Sequence, residues 1–157
     1  MPTFWPRKYY AGLNKTQKAK RKAEIQRFGA FDWRDPRAYK GFRTDRGIKT
    51  RRSGYTAEWK RRFPDAKSLA AKAAATGVPE RFLRESYNRG MAAWRTGHRP
   101  GATQQQWGYA RVHSLLLCGK TALSTDSDIR RRSIKAARGA RKWYTKEGCA
   151  KDVLRMY

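Results

Sequence analysis

The stretch Ser68–Trp94, SLAAKAAATGVPERFLRESYNRGMAAW, decides how this chain folds. Ser68 can cap a helix over Leu69–Thr76, Gly77 supplies a turn, and Pro79 is well placed at the first position of the next helix. In that second helix Leu83, Tyr87, Gly90, Met91 and Trp94 recur at helical spacing, with Phe82 beside them. Two helices joined by Gly77 and Val78 make a helix-turn-helix-like pair. Any two helices around a tight glycine turn share this pattern, so it speaks for helical class and only weakly for a motif that reads a nucleic-acid groove.

Working outward, the same punctuation recurs. Downstream, Gly97-His98-Arg99-Pro100-Gly101 breaks the chain, and Thr103 with Gln106 then forms a cap-and-partner pair opening a helix over residues 104–118. Trp107, Tyr109, Val112, Leu115, Leu116 and Leu117 make that helix the most apolar one and the expected centre of the core. Ser124–Asp128 offers caps for a basic helix over residues 129–138, and a last helix is expected from Thr145 onward. Upstream, Thr56–Phe63 reads as a short helix ended by Pro64. Residues 30–53 are interrupted by Pro36, Gly41 and Gly47 and hold few apolar groups, so they read as a loop ordered only on binding. Asn14 with Gln17 resembles a capped start for a basic helix over residues 15–28, and Pro2–Gly12, with Phe4, Trp5, Tyr9 and Tyr10, reads as an extended aromatic arm. The expectation is an all-α fold: a helical core over residues 56–128, a basic aromatic arm over 1–55 and a basic helical extension over 129–157.

Charge bounds the function. Thirty-eight Lys and Arg against twelve Asp and Glu give a formal charge of +26, with 19 basic and 5 acidic residues in 1–62 and 10 against 2 in 129–157. So much like charge repels itself unless a polyanion or an acidic partner is present. Aromatics at 13% suit surfaces that grip nucleic acid, and they equally suit the core of a fold poor in aliphatics. Cys118 and Cys149 are too few for a disulfide scaffold and fit a reducing compartment, with a single bridge left open. No apolar run approaches the length of a membrane span, and the N-terminus lacks the apolar region of a secretory signal. These features lead to the expectation of a soluble protein made inside a cell.

Chemistry-bearing patterns are sparse. Gly119-Lys120-Thr121 has the end of a phosphate loop, but Ser114 stands where its first glycine belongs and an apolar helix precedes it instead of a strand. His98, His113, Cys118 and Cys149 lack the spacing of zinc ligands, so neither metal nor cofactor is expected, and Cys118 reads as a small core residue. Asp126 and Asp128 sit at a helix start, where capping is the simpler role. His98 between Arg95 and Arg99 has the residue types of a base beside a phosphate, yet a histidine in a Gly/Pro loop more often serves as a hydrogen-bonding post, and no enzyme is expected. Trp94 and Trp107 can pack on each other to pin the 97–101 loop. Arg95, Arg99 and Arg111 would then hold a carboxylate or phosphate at its mouth, or else pair internally with Glu80, Glu85 or Asp126. Further candidate polyanion contacts are Lys15, Lys18, Arg21 and Lys22 on the first helix, Arg51 and Arg52 in the basic run, and Arg130, Arg131 and Arg132 in a first helical turn, where the helix dipole calls for a compensating anion.

The segment Ala93-Trp94-Arg95-Thr96-Gly97-His98-Arg99-Pro100-Gly101, with Gln106-Trp107 and Ala110-Arg111-Val112, resembles a family of uncharacterised proteins of large DNA viruses, notably those of algae, and of some bacteriophages. Weaker echoes lie at Tyr10–Lys18 and Thr44–Tyr55, and the resemblance runs from Tyr9 to about Asp128. It implies a viral origin and brings no activity. The expectation is therefore a non-enzymatic minor capsid or internal virion component, present in the host cell during assembly and bridging acidic virion proteins. The alternative is a protein that condenses the viral genome through sequence-independent nucleic-acid contacts, and contact with a membrane surface stays open.

Overall fold

The computed structural model describes residues 6–154 and is all-α, with no strand among them. Its α-helices are α1 (Lys15–Gly29), α2 (Gly54–Arg62), α3 (Leu69–Thr76), α4 (Glu80–Trp94), α5 (Gln104–Leu116), α6 (Ser127–Ala136), α7 (Arg138–Glu147) and α8 (Lys151–Leu154). Short 3-10 turns occupy Arg7–Tyr10, Pro36–Tyr39, Arg43–Asp45 and Thr121–Leu123. Three expected starts carry their caps: the Asn14/Gln17 box on α1, Ser68 accepting from the amide of Ala71 on α3, and Thr103 with Gln106 on α5. Asp126 departs from expectation. It precedes α6 without capping it, because its carboxylate is buried and taken by other donors. In the aromatic arm, Arg7–Tyr10 is a 3-10 turn, while Phe4 and Trp5 lie outside the described residues.

The chain divides into two units. One holds the residues up to Arg51 together with Met91–Trp107, and the other holds Arg52–Gly90 with the residues from Gly108 onward. The expected boundaries at 55/56 and 128/129 are therefore corrected on two counts. The 97–101 loop belongs with the N-terminal residues, and the basic extension is part of the second unit's core, where Ile129, Ile134, Trp143, Tyr144 and Val153 are buried. These residues are scattered among arginines and lysines in the sequence, and helical winding gathers them on one face.

Residues 52–90 and 108–154 pack α2, α3, the first part of α4, the last part of α5, α6 and α7 around Trp59, Leu83, Val112, Leu115 and Leu116. The Gly77 turn has a second role there. A Cβ on Gly139 of α7 would lie 2.5 Å from the carbonyl oxygen of Gly77, so the backbones approach as closely as they do only because both residues are glycine. Cys118 and Cys149 are joined in the single bridge that the sequence left open; the end of α7 returns to the end of α5 and brings their Cα atoms to 5.8 Å. This bridge closes a loop 31 residues apart in sequence, which the chain-entropy argument values at about 3 to 4 kcal/mol. Thermal melts with and without reductant should differ accordingly, and an unchanged midpoint after verified reduction would contradict the assignment.

Lys72 of α3 is buried at 2% exposure. Its Nζ donates to the carbonyls of Ala66 and Lys67 at 2.8 Å each and lies over the rings of Trp59 and Tyr109. Burial, reinforced by Lys60, lowers its pKa to about 8. Beside this ammonium the buried His113 is held at about 3 by burial and the nearby lysines, with Nδ1 sharing a 2.8 Å hydrogen bond with Thr56 Oγ1. Above pH 8 the folded chain releases a proton that the unfolded chain still holds, so stability rises with pH until the ordinary lysine range is reached. Denaturant titrations at pH 7.5 and about 9.5 should show wild type gaining on Lys72→Met, whereas a constant difference would exclude this strain.

Candidate polyanion-binding site

The first unit has little apolar core, with Ile25, Phe28 and Phe42 as its buried cluster. What organises it is a carboxylate. Asp45 Oδ1 accepts from Arg21 Nη1 at 2.6 Å and from the amide of Gly101 at 3.0 Å, while Oδ2 lies 2.7 Å from His98 Nε2. Burial pushes the Asp45 carboxyl up, but the His98 hydrogen bond and charge and the Arg21 charge outweigh it, and the net shift is downward. Arg21 is fully buried and also donates to Thr44 Oγ1 at 3.0 Å and to the carbonyls of Tyr9 and His98. His98 Nδ1 faces the carbonyl of Trp94 at 2.8 Å, so both ring nitrogens face oxygen acceptors, and the ring stacks on Trp94 at 4.3 Å and 10°. Glu24 on α1 adds a second anchor, accepting from the amide of Arg43 and from Thr44 Oγ1 at 2.6 Å each. Hydrogen bonds to these two carboxylates, with Phe42 stacked on Phe28 at 5.1 Å, explain why residues 30–53 are structured in the chain itself.

The 97–101 loop is thereby an interior feature. His98 is fully buried. Trp94 and Trp107 do not pin the loop by packing on each other; His98 lies between their roles, stacked on Trp94 and edge-on to Trp107 at 6.4 Å. Gly97 and Gly101 both have positive φ, and a Cβ on Gly101 would sit 2.1 Å from the carbonyl oxygen of Ile48. Pro100 is buried and Gln106 is the exposed partner in the α5 capping box.

The expected arginine cluster at the loop mouth is not formed. Arg95 Nη1 donates to the carbonyl of Phe31 at 2.9 Å near the end of α1. Arg99 is half-buried with its pKa lowered by burial and by Arg51. Arg111 belongs to the second unit, where it forms the internal pair with Asp126 through bonds of 2.8 and 2.9 Å. Asp126 there also accepts from Ser86 at 2.8 Å and Arg89 at 3.2 Å. Arg130 is likewise withdrawn from the surface: it is 2% exposed and forks onto Asp152 with two 2.7 Å bonds. Those bonds hold the Asp152 carboxyl down at about 2 against the opposing effect of burial. Arg132 binds Glu85 and Asp128, and Arg131 approaches Asp152 at 3.4 Å while remaining exposed. Nearby carboxylates thus supply the anion that the start of α6 called for.

The remaining candidates do face outward. Lys15, Lys18 and Lys22 on α1 and Arg51 and Arg52 are exposed, and none of them enters an ion pair among the described residues. Sequence reasoning missed a second row on α1, Lys20 and Arg27, which faces a groove of about 1220 Å³ together with Lys40, Arg43 and Arg46. The one signal for it was the spacing of Lys20 and Arg27, two helical turns apart. Among the described residues no group of three or more His, Cys, Asp or Glu is placed to hold a metal ion, and no helix is long and apolar enough to cross a membrane.

Residues 6–134 match the model of a family of unknown function (DUF5824). The chain belongs to that family. The match takes in all of the Asp45 cluster and ends within α6, so α7 and α8 lie beyond it. No curated protein and no solved structure matches the chain.

Replacing Asp45 with Asn keeps the shape of the family member's central cluster and leaves Arg21 buried without its counter-charge. The expected loss is about 3 to 5 kcal/mol by denaturant titration, and a loss under about 1 kcal/mol would show that the cluster does not hold this unit together.

Proposed function

We propose that the protein is a non-enzymatic, strongly basic structural component of a virus particle, which bridges acidic partners inside the capsid or along its inner surface. The carrying observation is how the charges are divided. Arginines such as Arg21, Arg62 and Arg111 engage buried or half-buried carboxylates and the buried Arg130 engages Asp152, whereas Lys15, Lys18, Lys20, Lys22 and many other cations are exposed and enter no ion pair among the described residues. A surface of that kind repels itself, and a bound external polyanion relieves that repulsion. The viral setting rests on the resemblance of the residues 93–112 motif to proteins of large DNA viruses. The non-enzymatic reading is supported by the burial of His98 and His113, whose ring nitrogens point into the interior.

Genome binding is the second reading, and the groove beside α1 favours it, since its cations converge on a concavity instead of being spread over a convex surface.

Proteomics of purified particles washed at rising salt provides the test. The protein should be found in particles, stay bound at physiological ionic strength and be released near about 1 M salt, where the screening length falls to about 3 Å. Absence from particles, with abundance in infected cells, would overturn the structural role.

A further inference from the structure

We propose that the groove of the first unit binds a single-stranded segment of nucleic acid, an inference that rests on the polyanion-binding reading and names its ligand and site. Besides Arg37, which pairs with Asp35, five exposed cations face the groove: Lys20 and Arg27 from α1, and Lys40, Arg43 and Arg46 from the segment across it. Among the described residues none of these five enters an ion pair. The two acidic residues that also line it are already occupied, Glu24 by the amide of Arg43 and by Thr44, and Asp45 by Arg21, His98 and the amide of Gly101. The groove therefore presents cations with their counter-charges turned inward. Lys20 and Arg27 stand two turns apart, about 10 Å along the helix, a row suited to a chain of phosphates and larger than one small anion needs.

Aromatic rings distinguish a single strand from other polyanions. Phe31 and Tyr39 are half-buried groove residues, and Trp33, 52% exposed, adjoins them through the 2.6 Å bond from Tyr39 Oη to its carbonyl oxygen. Two of these rings already carry guanidinium groups, Arg34 over Trp33 at 4.8 Å and Arg37 over Phe31 at 4.7 Å. A basic groove bordered by accessible rings matches how proteins hold unpaired bases while gripping the backbone. Acidic protein segments have no use for the rings, and a duplex keeps its base faces stacked internally.

Fluorescence anisotropy near physiological salt tests the proposal with three probes: a short mixed-sequence single-stranded DNA, the matching duplex and a polyglutamate of equal charge. Three variants accompany wild type: the groove set Lys20→Gln, Arg27→Gln, Lys40→Gln, Arg43→Gln and Arg46→Gln; the outer-face set Lys15→Gln, Lys18→Gln and Lys22→Gln; and Trp33→Ala. All the substituted side chains are exposed, and circular dichroism verifies that each variant is folded. The single strand should bind best. The groove set should lose about tenfold or more and flatten the salt slope by about 0.7 per lost phosphate contact, while the outer-face set loses only a few-fold. Trp33→Ala should weaken the single strand by about fivefold or more and leave the duplex unchanged, in keeping with the stacking energy of one base. Equal losses for the two charge sets, an unaffected single strand in Trp33→Ala, or tighter binding of the duplex would each overturn the single-strand site. Binding of polyglutamate in place of DNA would overturn it too and leave the polyanion reading standing. Failure of all three probes would bring down both.

Discussion

Asp45 is the residue on which the first unit depends. One carboxylate accepts hydrogen bonds from Arg21 and the amide of Gly101 and faces His98, and in doing so ties α1, the 43–45 turn and the 97–101 loop to a single point. Apolar burial contributes less here, because the cluster of Ile25, Phe28 and Phe42, with the buried Trp94 beside it and a few half-buried rings, is small. Charge-assisted hydrogen bonds in a sheltered site are directional, so they fix loop geometry that a small hydrophobic cluster leaves free.

The same economy governs the second unit. Asp126 is fully buried and gathers Arg111, Arg89 and Ser86, while Asp152 holds the buried Arg130. With twelve carboxylates for thirty-eight cations, each carboxylate that organises the interior is one fewer to neutralise the exterior. Arginine takes the interior role because its planar fork meets a carboxylate through two parallel bonds, and lysine, a hydrated point charge, stays in water. Lys72 is the exception: burial, reinforced by Lys60, lowers its pKa even though two carbonyls and two ring faces receive the ammonium.

Much of the helical framework was legible in the chain because its signals are local. The α3 boundaries coincide with the stretch between Ser68 and Gly77, and the caps at Asn14 and Thr103 are formed by neighbours three residues away. The candidate site was legible only in part. Lys15, Lys18 and Lys22 are exposed as expected, but Arg21, in the same basic run, is buried, since helical winding turns it to the face shared with Ile25 and Phe28. Arg130 differs from its neighbours Arg131 and Arg132 for the same reason, facing the core and the Asp152 carboxylate. In a run of like charges composition cannot tell which member finds a buried partner, because the carboxylates that pair with Arg21 and Arg130 stand 24 and 22 residues away in sequence.

By itself the sequence determined helical class, most helix starts and the excess of positive charge, all properties of short windows or of simple counts. Tertiary structure decided the rest: that Cys118 meets Cys149, that Asp45 gathers Arg21 and His98, that the 97–101 loop is an interior post, and that Lys20 and Arg27 share a groove with Lys40, Arg43 and Arg46. Each of these joins residues distant along the chain. Their proximity depends on how helices and loops return on one another, and the direction in which a side chain then points separates a structural ion pair from a cation left for a ligand.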